Sequence, residues 1–133
     1  MRNILYIAAV VMLLASCGSK GDDLEAIQER AGTVAQEYYK HLVDGKYEDF
    51  VAGMDGADSL PAAYREQMIA NTAMFVKQQT DEHKGIKDVA YTSCIADTAA
   101  HTASAMLSLE YADGVHEVVC VPLVERGGNW YMK

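Results

Sequence analysis

The sequence predicts an α+β fold in which N-terminal helices pack on a curved, four-stranded antiparallel sheet. Two observations carry this. Apolar residues recur every three or four positions as far as Lys84, the period of an amphipathic helix, and then every second position after Gly85, the period of a strand. Short runs rich in Val, Tyr, Thr and Leu after Gly85 are separated by turn chemistry, of which Asp113-Gly114 and Gly127-Gly128 are the clearest.

In the first predicted helix, Leu24, Ile27, Ala31, Val34, Tyr38 and Leu42 fall on one face. Asp22 with Glu25 suits a capping box at its start, and Asp44-Gly45 suits its end. A shorter helix over 46–54 carries the stripe Tyr47, Phe50 and Met54. After a loop at 55–59, Ser59-Leu60-Pro61 opens a third helix, because a serine cap and an early proline suit a turn whose amides lack partners. Its stripe is Leu60, Tyr64, Met68, Thr72, Phe75, Val76 and Gln79, and Gly85 ends it.

Strands are expected near 86–96, 102–112, 115–124 and 129–133. Asp113-Gly114 reads as a two-residue type I′ turn. That register sets Ala112 opposite Val115, Glu110 opposite Glu117, Leu109 opposite Val118 and Leu107 opposite Cys120. The core face then holds Ala105, Leu107, Leu109, Tyr111, Val118 and Cys120, while Met106, Val119 and Val121 form an apolar strip on the open face. The remaining thiols, Cys94 and Cys120, lie two strands apart, about 9–10 Å between Cα atoms. That exceeds disulfide reach, so both are expected to be buried and free.

The chain has 133 residues, 50% of them hydrophobic, which suits one folded domain and argues against disorder. Its formal charge of -8 repels phosphate backbones, so nucleic acid is not expected as a partner. Four histidines, His41, His83, His101 and His116, are spread over four elements without metal-ligand spacing and are expected to be exposed. No metal and no cofactor is expected.

Arg2 and Asn3 precede an apolar run from Ile4 to Leu14 that closes on Leu14-Ala15-Ser16-Cys17. A positive start, a short greasy centre and small residues at the cut describe a secretory signal over residues 1–16. The run is too short to span a bilayer. Leu-Ala-Ser-Cys resembles the bacterial lipoprotein box, which implies cleavage before Cys17 and acylation of that residue, palmitate included. Residues 17–23 then form the lipidated cysteine and its tether, and 24–133 the folded domain.

Loss of Arg2 with the leader moves the side-chain charge from -8 to -9. Gly18, where many inner-membrane lipoproteins carry Asp, implies the outer membrane, facing the periplasm or the cell surface. Ser19-Lys20-Gly21-Asp22-Asp23 resembles a short acidic export tag, which would favour surface display.

The stretch from Tyr38 to Phe50 is a helix that ends in Asp44-Gly45 and re-enters through Tyr47. Together with the terminal Gly128-Asn129-Trp130-Tyr131-Met132, it resembles small lipoprotein domains of the nuclear transport factor 2-like (cystatin-like) superfamily. Tyr131 departs from the lysine usual there. The resemblance implies a cone in which helices cover a concave sheet and leave a pocket.

An isomerase in such a cone needs a carboxylate base beside a buried tyrosine, and the expected register turns Glu110 and Glu117 outward. The leading expectation is therefore a lipid-anchored, non-catalytic binding or scaffold domain. A second is a carrier of an unidentified small molecule, or an isomerase-like enzyme, with a pocket lined by Tyr38, Tyr64, Met68, Phe75, Tyr91 and Leu107. A third is a homodimer or an envelope-complex subunit assembled through the open sheet face.

Overall fold

The structure, a computed structural model, describes residues 19–133. The leader and Cys17 lie outside the described residues. Three helices precede four strands: α1 Ser19–Val43, α2 Tyr47–Ala52, α3 Ala62–His83, β1 Ile86–Asp97, β2 Thr102–Tyr111, β3 His116–Arg126 and β4 Asn129–Met132. The strands form one antiparallel meander in the order β1-β2-β3-β4, as the pattern predicts. Among the described residues, no helix is long and apolar enough to cross a membrane.

Three boundaries differ from expectation. Helical backbone already covers Ser19, so Asp22 sits within α1 rather than at its cap, and residues 19–23 are part of that helix. Ser59 closes a 3₁₀ turn, Ala57–Ser59, and Pro61 takes the N-cap of α3 without a side-chain bond. At the other end of α3, the left-handed residue is Lys84 at φ 65°, one position before Gly85. The Gly85 amide reaches back to the Gln79 carbonyl and the Lys84 amide to that of Thr80, which closes the last turn.

α1 lies along β1 through its smallest side chains. Ala31 and Ala35 are fully buried, and Gly32 lets the Tyr91 ring settle on the helix backbone. The Gln36 amide donates to the Val89 carbonyl at 2.9 Å, and Gln28 accepts from the Ala96 amide at 3.1 Å. This helix therefore covers the outer edge of β1. At the opposite edge Met54 pairs with Met132, with Met132 N donating to Gly53 O at 2.8 Å and Asp55 N to Met132 O at 2.7 Å. Both terminal strands are thus partly covered against pairing with another chain, although β4 pairs β3 only over Leu123–Arg126.

The inward face of β2 holds Ala105, Leu107, Leu109 and Tyr111, buried as predicted, and Ala103 extends it. Val89, Cys94, Val121, Leu123, Trp130 and Met132 complete the core. A side chain such as Leu107 or Leu123 contributes roughly 1.5–3 kcal/mol by leaving water. Extra residues at Lys87 and Thr92 shift the β1 register twice, and such bulges bend a strand around the helices it faces.

The β2–β3 register is one residue off the expected one. Tyr111 N donates to Val115 O at 2.9 Å, leaving Ala112, Asp113 and Gly114 as a three-residue loop. Only Gly114 takes positive φ, at 88°, and the Asp113 carboxylate accepts the Val115 amide at 3.0 Å. Asp-Gly here builds a type I turn with a glycine bulge instead of a type I′ pair. Because side chains alternate, that single step inverts β3. Leu109 now faces Glu117, Leu107 faces Val119 and Met106 faces Cys120. Val121 is buried rather than on the open strip, Val118 is 61% exposed, and Cys120 is an exposed thiol instead of a buried one. Both Cys94 and Cys120 are free, as expected.

Candidate functional site

α3 packs lightly: of its 22 residues only Thr72 is buried, while Tyr64, Met74 and Phe75 are exposed. Its apolar side chains are spread around the helix, so no single stripe docks fully on the body. Between α1, α2 and α3 this leaves an open groove of about 370 Å³, lined by Tyr39, Leu42, Phe50, Met54, Met68, Asn71, Thr72 and Phe75. Tyr39 and Phe50 meet edge to face at 5.5 Å, forming its aromatic floor, and burial pushes the Tyr39 phenol pKa up. Thr72 spends its hydroxyl on the Met68 carbonyl at 2.8 Å. Asn71 accepts from Gln67 at 2.9 Å and is the exposed polar group of the lining. Flexible thioethers, aromatic faces and one amide suit an apolar guest with a single polar end.

Of the six residues expected to share a pocket, Met68 and Phe75 do line this groove. The other four are elsewhere. Leu107 is sealed in the core, and Tyr64 is 57% exposed on α3. Tyr38 lies over Gly53 and donates its hydroxyl to the Trp130 carbonyl at 2.7 Å, while Tyr91 packs on Gly32. Close packing of the small residues of α1 on the sheet fills the volume that a cone pocket would occupy.

A second cluster lies where α3 meets the β2–β3 loop. The buried Tyr111 donates to Glu117 at 2.5 Å, and its ring stacks on His83 with centroids 4.6 Å apart. His83 Nδ1 is 2.9 Å from Asp113 Oδ2. Backbone bonds from Ala112 N to Gly85 O and from Asp113 N to His83 O join the same two segments. Glu117 is thus a partner of Tyr111 rather than of Glu110, which pairs with His116 instead, and His83 is half-buried rather than exposed. Burial first, then the Glu117 carboxylate, drives the Tyr111 pKa far upward. The Asp113 carboxyl is held low, chiefly by the Val115 amide and then by His83.

A carboxylate beside a buried tyrosine is what isomerase chemistry asks for, yet none of the clefts described here is lined by this pair. With the tyrosine proton committed to Glu117 and the ring covered by His83, the cluster works as a latch for the end of α3. Sequence reasoning missed it because it depends on the three-residue loop.

A more polar cleft of about 430 Å³, lined by Asp55, Asp58, Ser59, Arg126 and Tyr131 among others, is occupied by a two-pronged ion pair. Arg126 reaches Asp55 at 2.6 and 2.9 Å, and that bond holds the Asp55 carboxyl below its ordinary range. The two charges satisfy each other.

No protein-family model and no curated protein matches the chain. Among solved structures, the chain resembles that of a candidate NTF2-like transpeptidase from Campylobacter jejuni, at 15% sequence identity and a TM-score of 0.55. The likeness covers 75% of this chain and 94% of that one. At such low identity it establishes architecture alone: helices followed by a four-stranded antiparallel sheet in the nuclear transport factor 2-like fold.

Proposed function

We propose that the chain is a lipid-anchored, non-catalytic binding domain of the bacterial envelope, tethered through Cys17 and holding an apolar guest in the groove between its helices. One observation carries the binding half. The concave face of the sheet is packed shut, with Ala105 and Leu107 fully buried, while the apolar groove on the helix side stays open. A transpeptidase activity such as that named for the Campylobacter protein calls for an activated nucleophile. Here Cys94 is buried with its thiol pKa raised by that burial, and Cys120 makes no hydrogen bond to a base among the described residues. The anchoring half rests on the Leu14-Ala15-Ser16-Cys17 sequence.

Titration with an environment-sensitive apolar dye tests the groove. Phe75→Glu abolishes dye binding, whereas Val118→Glu on the opposite side of the sheet leaves it unchanged. Equal loss in both variants, or no binding by the parent, refutes the groove. For the anchor, Cys17→Ala removes palmitate labelling and shifts the protein from the membrane to the soluble fraction.

Assembly through the open sheet face is a second reading, favoured by Ile95, Met106 and Val118, exposed by 75%, 36% and 61%. It predicts that Val118→Glu, and not Phe75→Glu, lowers the mass measured by light scattering.

A further inference from the structure

We infer that α1 is a rigid stalk which stands the domain upright on the bilayer, with one defined end toward the lipid and the helix groove held away from it. The inference rests on acylation of Cys17 as proposed above. Cys17 is two residues from Ser19, a span of at most ~7 Å of chain, and Ser19 is already helical. In sequence, only Gly18 lies between the proposed anchor and the first helical residue.

From Asp23 onward, the first side chains of α1 to hydrogen-bond the body are Gln28, to the Ala96 amide, and Arg30, which donates to the Gly128 carbonyl at 2.9 Å. Among residues 23–43, the first fully buried is Ala31. At 1.5 Å of rise per residue, the stretch from Ser19 to Ile27, which packs in part against the core, spans ~12 Å. Residues 23–26 are exposed along that stretch. Asp23 and Glu25 stand on that exposed stretch.

Gln28 and Arg30 fix which end faces the lipid. The C-terminal end of β1, the β1–β2 turn over 98–101 and the β3–β4 turn at Gly127-Gly128 lie together there. The groove belongs to the other half of α1. Tyr39 and Leu42 are twenty or more residues along the helix from Ser19, which sets them ~30–35 Å from its start. A guest accordingly reaches the groove through the aqueous phase or from a protein partner, not by sliding out of the membrane.

Energy transfer to a headgroup dye tests this in the mature lipoprotein, reconstituted in phosphatidylethanolamine–phosphatidylglycerol vesicles. With Cys120→Ser removing the exposed thiol, a fluorophore is placed on Ala99→Cys in the β1–β2 turn or on Lys46→Cys just beyond α1. Transfer at least twofold greater from position 99 than from position 46 is expected. Equal transfer, or the reverse order, overturns the stalk. Ala26→Pro breaks the exposed part of α1 without touching a buried residue. It should abolish the difference while leaving thermal unfolding of the body unchanged, and persistence of the difference in that variant also refutes a helical stalk. The mass of the N-terminal peptide separates the two readings. An acylated Cys17 with equal transfer defeats the stalk alone, whereas an unmodified Cys17 defeats the anchor and the stalk together.

Discussion

Gly32 of α1 and Tyr91 of β1 are packed so closely that a Cβ on the glycine would fall 2.0 Å from Cε2 of the tyrosine ring. The missing side chain is what lets α1 run flush along the edge of the sheet, with Gln28 and Gln36 bonding β1 on either side of it. Gly32→Ala would gain helix propensity of about 1 kcal/mol, but it must displace the ring, an overpacking cost of about 1–3 kcal/mol. The expected result is a lowered thermal midpoint. Tyr91→Ala in the same chain removes the obstacle, so the double variant should be less destabilised than the two single effects added together. Strict additivity in this cycle would show that the contact does not set the position of the helix.

The exposed face of β3 offers a direct check of the hairpin register. With Cys120 outward and Cys94 buried, a thiol reagent added to the native domain should label Cys120 rapidly and Cys94 only after denaturation. Under the type I′ register, Cys120 faces the core and both thiols stay protected. Mass spectrometry of the labelled peptides decides between the two.

That difference also marks how far the sequence could be read. Strand positions were legible because Gly85, Asp113-Gly114 and Gly127-Gly128 punctuate a clear alternation, and the inward face of β2 followed from it. The register of β3 was not, since Asp-Gly serves two-residue and three-residue loops alike, and one residue inverts every side chain beyond it. The bulges at Lys87 and Thr92 leave no local signature. In the groove, Met68 and Phe75 were legible from helical spacing. Tyr39 and Phe50 join them only through the angle between α1 and α2, which periodicity within one helix does not encode.

α3 buries only Thr72 fully, with Met68, Ile69 and Val76 packed in part against the core, so its C-terminal half should depend on the latch as well as on burial. Asp113→Ala removes both the acceptor for the Val115 amide and the partner of His83. Amide hydrogen exchange should accelerate several-fold across the C-terminal half of α3, while the amides of β2 keep their protection. A uniform acceleration over the whole domain would mean that α3 unfolds only with the body. The Asp113 carboxyl is held below its ordinary range, so this contribution is present at neutral pH and is lost as pH falls below the usual carboxylate range near 3.8.

At the alkaline limit the sign reverses. Burial raises the phenol pKa values of Tyr38, Tyr39, Tyr91 and Tyr111 above the ordinary value of 10.0. A group raised on folding stabilises the native state fully below its unfolded pKa, and the stability drains away as pH climbs past it. The urea midpoint should therefore hold steady from neutral pH to about pH 10 and then fall steeply. Tyr111 carries the strongest case, because its proton is held by the Glu117 carboxylate as well as by burial. Tyr111→Phe should cost about 1 kcal/mol at neutral pH through the lost hydrogen bond, and should flatten the alkaline fall relative to the parent. A variant whose midpoint drops as steeply as the parent's above pH 10 would show that Tyr111 does not govern that limb.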